Sequence, residues 1–184
     1  MRELSLNIMD IAQNSVRAEA TVIEIRCTEN TAEHTLTLEV EDNGKGMSEE
    51  QIAAVTDPFF TTRTTRKVGL GVPLFKMAAE QTGGEFSITS TLGKGTVTAA
   101  TFHTDNVDMT PLGDMNSTIS LLINSNPDMD IVYKRQVNEK QYTLDTRQMR
   151  DMLGDVPLNN PDVALWISSF LEENEKDLFG GIDQ

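Results

Sequence analysis

The 184-residue chain holds one cysteine, two histidines, ten aromatic side chains and only 15 Lys+Arg against 29 Asp+Glu. Each shortage excludes something. One thiol, Cys27, forbids an internal disulfide, and one Cys with two widely separated His (His34, His103) makes no zinc pattern. A formal charge of −14 argues against tight, sequence-independent binding to nucleic acid or an anionic membrane, because both need clustered cations to displace counterions. No uninterrupted apolar stretch long enough for a signal peptide or a membrane span is present, so a cytoplasmic location is expected. Hydrophobic residues make up 38% of the chain, and together with 12 glycines they suffice for a packed core. That length predicts one ordinary domain with an appendage and no room for a large multidomain sensor.

Periodicity then orders the chain. Leu4, Ile8, Ile11, Ala12, Ser15 and Ala18 recur at helical spacing, with Ser15 as a small member of the face. A polar row, Asn7, Asp10, Asn14 and Arg17, clusters on an adjacent side. Ile23, Ile25 and Cys27, then Leu36, Leu38 and Val40, alternate with polar neighbours as in half-buried strands, and the same parity turns Asp42 inward at a strand end. Ser48 and Gln51 predict a capping box on a short helix reaching about Val55. Residues 57–68 read as a polar loop. A helix is predicted from Gly69 and Gly71 to about Thr82, and strands near 86–91 and 96–102 flank the turn Leu92-Gly93-Lys94-Gly95. The order predicts an α/β sandwich over residues 1–104. A polar linker begins at Thr104, and residues 105–184 read as a small acidic α+β region. Its helices are expected near 114–123, 146–153 and 161–171, and its strands near 131–137 and 141–144.

Four segments carry chemistry. Spacings of four and three put the carboxylate of Asp10, the amide of Asn14 and the guanidinium of Arg17 side by side: a base, a metal ligand and a phosphate clamp. Alone, such a row is most often a solvated face. Asp42-Asn43-Gly44-Lys45-Gly46-Met47 follows a strand, and an inward carboxylate there needs donors, for which an exocyclic purine amine is suited. An EF-hand fails, because glycines stand at the ligand positions and no Glu closes the loop. Asp57-Pro58-Phe59-Phe60-Thr61-Thr62-Arg63-Thr64-Thr65-Arg66-Lys67-Val68-Gly69-Leu70-Gly71 leads a loop of hydroxyls and cations into a helix N-terminus, a recipe for wrapping phosphates. Gly93-Lys94-Gly95-Thr96, taken alone, is a hairpin.

Together and in this order, the four segments resemble the GHKL superfamily of gyrase, heat-shock chaperone, histidine kinase and MutL ATPases. Asp10 to Arg17 is similar to its asparagine box, Asp42 to Met47 to its first glycine box, and Asp57 to Thr62 with Gly69-Leu70-Gly71 to its phenylalanine box, lid and second glycine box. Gly93 to Thr96 resembles the last glycine box. The resemblance implies a Bergerat ATP-binding fold, a mixed sheet covered on one face by helices, with Mg-ATP as ligand. It assigns Asn14 to Mg²⁺, Asp42 to the adenine amine, Gly44 and Gly46 to the base, and Gly69 and Gly71 to the phosphates. Thr96 would support Asp42 through water. Arg17 and the lid cations Arg63, Arg66 and Lys67 would meet the phosphates, and Phe59, Thr62 and Leu70 belong to the same boxes.

The departures bear on function. Neither histidine has an acidic partner and a following proline, so a self-contained histidine kinase is not expected. Asp10 stands where histidine kinases commonly carry Asn and where hydrolysing members and anti-sigma serine kinases carry Glu as general base. Lys67 replaces a glycine of the second glycine box. The strand that ordinarily precedes the asparagine-box helix is missing, leaving that side to the C-terminal hairpin or another subunit. The first expectation is a kinase-like ATPase that phosphorylates a serine or threonine of a partner protein or hydrolyses ATP slowly. Others are an ATP-sensing interaction module, the ATP-binding half of a split histidine kinase, and a nucleotide-free scaffold. Residues 105–184, net −9 against −5 for residues 1–104, are expected to select the partner. Trp166, Val163, Ile167 and Phe170 form an amphipathic face expected to pack on its own domain, with a partner or homodimer contact second.

Overall fold

The computed structural model describes residues 3–59 and 70–180. Twelve elements follow in order: α1 (Leu4–Arg17), β1 (Val22–Asn30), β2 (Thr35–Asp42), α2 (Glu49–Thr56), α3 (Gly71–Gln81), β3 (Glu85–Thr91), β4 (Gly95–His103), α4 (Met115–Ser125), β5 (Asp130–Val137), β6 (Lys140–Asp145), α5 (Thr146–Leu153) and α6 (Pro161–Phe179). The strands form one mixed sheet in the order β3-β4-β2-β1-β5-β6, in which only β1 and β5 run parallel.

The predicted alternation explains the layers. Ile23, Ile25, Cys27, Leu36, Leu38, Val40, Ala100 and Phe102 turn to one face, and register carries that face on through Ile131, Tyr133, Arg135, Tyr142 and Leu144. Onto it pack α1, α3 and α6. The opposite face is polar: Arg26 bridges Glu24, Glu39 and Glu41, and Lys134 also meets Glu24. Burial opposes ionisation of Glu24, but Lys134 and Arg26 outweigh it and lower its pKa. Cys27 is fully buried, and desolvation pushes its thiol up to about 12. Folded protein is therefore expected to resist a thiol-specific reagent at pH 8 for hours and to react within minutes in denaturant, which an absorbance assay reads directly.

The C-terminal region is continuous with the rest of the sheet. β5 extends it beside β1 with eight aligned residue pairs, and β6 follows as the edge. Helix α4 packs on both α1 and α6. The linker also completes α1, whose N-cap Glu3 makes no side-chain cap bond. Pro111 and Leu112 carbonyls accept from the amides of Leu4 and Ser5 at 2.9 and 2.8 Å instead. Such orphan helix amides need partners when buried, and here they come from beyond residue 104.

The last helix runs on to Phe179 rather than stopping near Leu171. Its charged stretch is held because Arg135, 2% exposed, donates to Glu175 of α6 and Glu29 of β1 at 3.2 Å each, with Phe179 beneath the guanidinium. Tyr142 donates to the other oxygen of Glu175 at 3.0 Å. Of the predicted amphipathic face, Val163 and Ile167 are buried and Phe170 half-buried, while Trp166 stays exposed and stacks on Phe170; Leu171 joins the buried side.

Candidate functional site

Asp42 lies at the end of β2 on the helical side of the sheet, as its parity predicts. Ser15 Oγ donates to Asp42 Oδ2 at 2.6 Å, and the Gly44 amide donates to Oδ1 at 2.9 Å. Among the described residues each carboxylate oxygen thus has one protein donor, which leaves a lone pair for another. Ser15, 2% exposed, is the residue that sequence reasoning passed over. A serine in an otherwise aliphatic helix face was the available signal, since a buried hydroxyl requires a partner.

Loop 42–47 is fixed by its own polar groups. Asn43 Oδ1 accepts from the amides of Thr21 and Val22, and its Nδ2 donates to Thr21 Oγ1. The amide of Lys45 donates to the Ala18 carbonyl at 2.9 Å, and its side chain pairs with Glu19. Gly44 and Gly46, the two glycines expected to bound a flat base, each turn their Cβ side toward protein backbone. A Cβ at Gly44 would stand 2.7 Å from the Ala18 carbonyl oxygen. One at Gly46, where φ is +71°, would stand 2.0 Å from that of Thr91. Their chain-to-chain contacts join the loop to α1 and to the β3–β4 turn.

Thr96 is the cross-strand neighbour of Asp42. Its hydroxyl lies 2.8 Å from Ser90 Oγ, which also takes the Met47 amide and meets the Gly95 carbonyl. A carbonyl only accepts, so Ser90 donates to Gly95 and the Thr96 hydroxyl donates to Ser90. Thr96 therefore faces the Asp42 side with lone pairs alone, suited to a water that donates.

On α1, Asp10 and Arg17 are exposed and Asn14 is half-buried. Arg17 Nη1 donates to Asn14 Oδ1 at 3.0 Å. Asp10 borders the start of α3: a Cβ at Gly71 would come to 2.5 Å from Asp10 Cβ and 3.0 Å from its Oδ2. Only glycine lets the two helices meet there. The row on α1, the N-terminus of α3 and the strand-end carboxylate with its serine thus belong to one face of the fold. Phe59 and Leu70, the described residues on either side of positions 60–69, are both exposed. Thr62, Arg63, Arg66, Lys67 and Gly69 lie outside the described residues. His103, paired with Thr35, and His34, just before β2, sit at the opposite end of these strands, at least seven residues and about 23 Å along from Asp42.

The family described as histidine kinase-, DNA gyrase B- and HSP90-like ATPase matches residues 2–106. The chain belongs to this family. Its ATP-binding domain is homologous to the catalytic domains of sensor histidine kinases. It is 31% identical over 98 residues to the C4-dicarboxylate transport sensor protein DctB of Pseudomonas aeruginosa, covering 53% of the chain and 16% of that protein. It is 36% identical over 101 residues to the sensor protein SrrB of Staphylococcus aureus, covering 52% of the chain and 17% of that protein. The chain thus matches about one-sixth of these relatives' length. In three dimensions it resembles the Aquifex aeolicus MutL ATPase domain complexed with ADP, with a TM-score of 0.52, 11% identity, and coverage of 100% of this chain and 99% of that one. At that identity the likeness shows the fold, an α/β sandwich of the GHKL type. No helix among the described residues is long and apolar enough to cross a membrane.

Proposed function

We propose that the protein binds Mg-ATP at this face and acts as a kinase-like ATPase, transferring phosphate to a hydroxyl of a partner protein or, slowly, to water. The observation that carries this is the Asp42 carboxylate, oriented by Ser15 and Gly44 with acceptor capacity to spare. Asp42 would accept from the adenine amine, and Thr96 would hold a water beside it. The residues also fit a magnesium ion: among the described residues Asn14 Oδ1 is engaged only by exposed Arg17, a contact that yields at little cost. Release of Arg17 from Asn14 would free an amide oxygen for the ion and a guanidinium for phosphate together. Magnesium would supply charge neutralisation at the phosphates. Gly71 at the N-terminus of α3 would bring backbone amides there, with Gly69 and the cations Arg63, Arg66 and Lys67 as further contacts.

Asp10 would act as general base toward a hydroxyl or water, a role that its position beside the first residue of α3 supports. Residues 105–184 would select the partner, through an acidic surface whose binding weakens with salt. The reading is tested by incubating the protein with Mg²⁺ and γ-labelled ATP, alone and with the products of neighbouring genes. Label transfer or phosphate release is expected, and Asp10→Asn is expected to retain nucleotide binding while losing it. ATP bound tightly and left intact would instead favour a sensing module. Homology to sensor proteins over the ATP-binding part alone favours a split histidine kinase as the second reading. Label arriving on a histidine of a separate helical protein would select it.

A further inference from the structure

Asn7 opens the polar row on α1 but has no part in the roles above. It is 1% exposed, on a helix whose other buried positions are mainly aliphatic. Its Nδ2 donates to the Gly71 carbonyl at 3.3 Å, across 64 residues of chain. Its Oδ1 is buried and accepts from no described residue. An apolar side chain of similar size would fill the same space without burying an acceptor that no described residue meets, so the amide is a poor choice for packing. It is a good choice for holding α3. Gly71 begins that helix, and the same residue is pressed against Asp10 one turn further along α1. The first turn of α3 is thus gripped at its carbonyl by Asn7 and at its Cα by Asp10.

We propose that Asn7 is a positioning residue for the phosphate end of the site. It holds the N-terminus of α3 at a set distance from Asp10, Asn14 and Arg17, the spacing over which phosphates must be shared by the two helices. The effect runs through Gly71 and leaves Asp42 and Ser15 untouched, so it discriminates between the two ends of a nucleotide. This inference rests on the ATP reading above.

The test compares Asn7→Leu with the unaltered full chain, measuring affinity for Mg-ATP and for adenosine by calorimetry or ligand-detected NMR, and melting temperature without ligand. The expected result is Mg-ATP bound about tenfold more weakly, adenosine bound within about twofold, and a melting temperature equal to or above that of the unaltered protein. A merely structural role would lower the melting temperature and weaken both ligands together. Asn7→Ala should show the same split between ATP and adenosine if the leucine variant does not fold. Unchanged ATP affinity in the variants overturns the positioning role alone, whereas an unaltered protein that binds no ATP overturns the ATP reading and this inference with it.

Discussion

Asp42→Ala is expected to lower ATP affinity more than 100-fold, to below detection by calorimetry, while the protein stays folded. The carboxylate is only partly buried, and it ends a strand rather than filling the core. Its removal leaves the Ser15 hydroxyl and the Gly44 amide facing the space a base would occupy, and a site missing the acceptor it was built around rejects its ligand strongly. Asp42→Asn separates charge from shape. The amide keeps one oxygen for Ser15 or Gly44 but places an N–H where the adenine amine would donate, so a loss as large as that of alanine is expected. Ser15→Ala is expected to fall between, at about tenfold, because Asp42 keeps its acceptors and loses one orienting bond. Full ATP affinity in Asp42→Ala would remove the basis for placing the base at this strand end.

The second large effect concerns stability. Arg135→Met should cost about 3 kcal/mol and lower the melting temperature by about 6 to 12 °C, as read by calorimetry. Burial disfavours the charged guanidinium, yet its acidic neighbours outweigh that and raise its pKa. Removing it strands Glu175 between Tyr142 and the sheet, and Glu29 beside it. Both carboxylates keep some solvent contact, with side chains 29% and 27% exposed, so the low end of the range for breaking a buried pair applies. The double change Arg135→Met with Glu175→Leu should recover most of the loss, since apolar replacement of a buried pair is often neutral. A single variant as stable as the unaltered protein would show that the guanidinium holds α6 by its stem alone.

Local pattern determined most of the elements. Alternation at Ile23 to Cys27 and Leu36 to Val40 sets both strand identity and inner face, because period two leaves one solution when one face is buried. The same parity placed Asp42, and the Ser48–Gln51 capping box stands as spaced. The Asp10, Asn14 and Arg17 row followed from helical pitch alone. What only the tertiary structure decided are contacts between residues far apart in sequence. No pattern near Ser15 names Asp42, 27 residues on, and none near Asn7 names Gly71. The shift to polar composition at Thr104 reads as a boundary, yet β5 joins β1 in parallel and Pro111 and Leu112 cap α1. Helix α6 continues past exposed Glu172 and Glu173 to Glu175, where Arg135 of β5 makes partial burial of that one carboxylate favourable. Periodicity records which way a side chain faces; which partner waits there depends on loop closure and on the sheet order that packing selects.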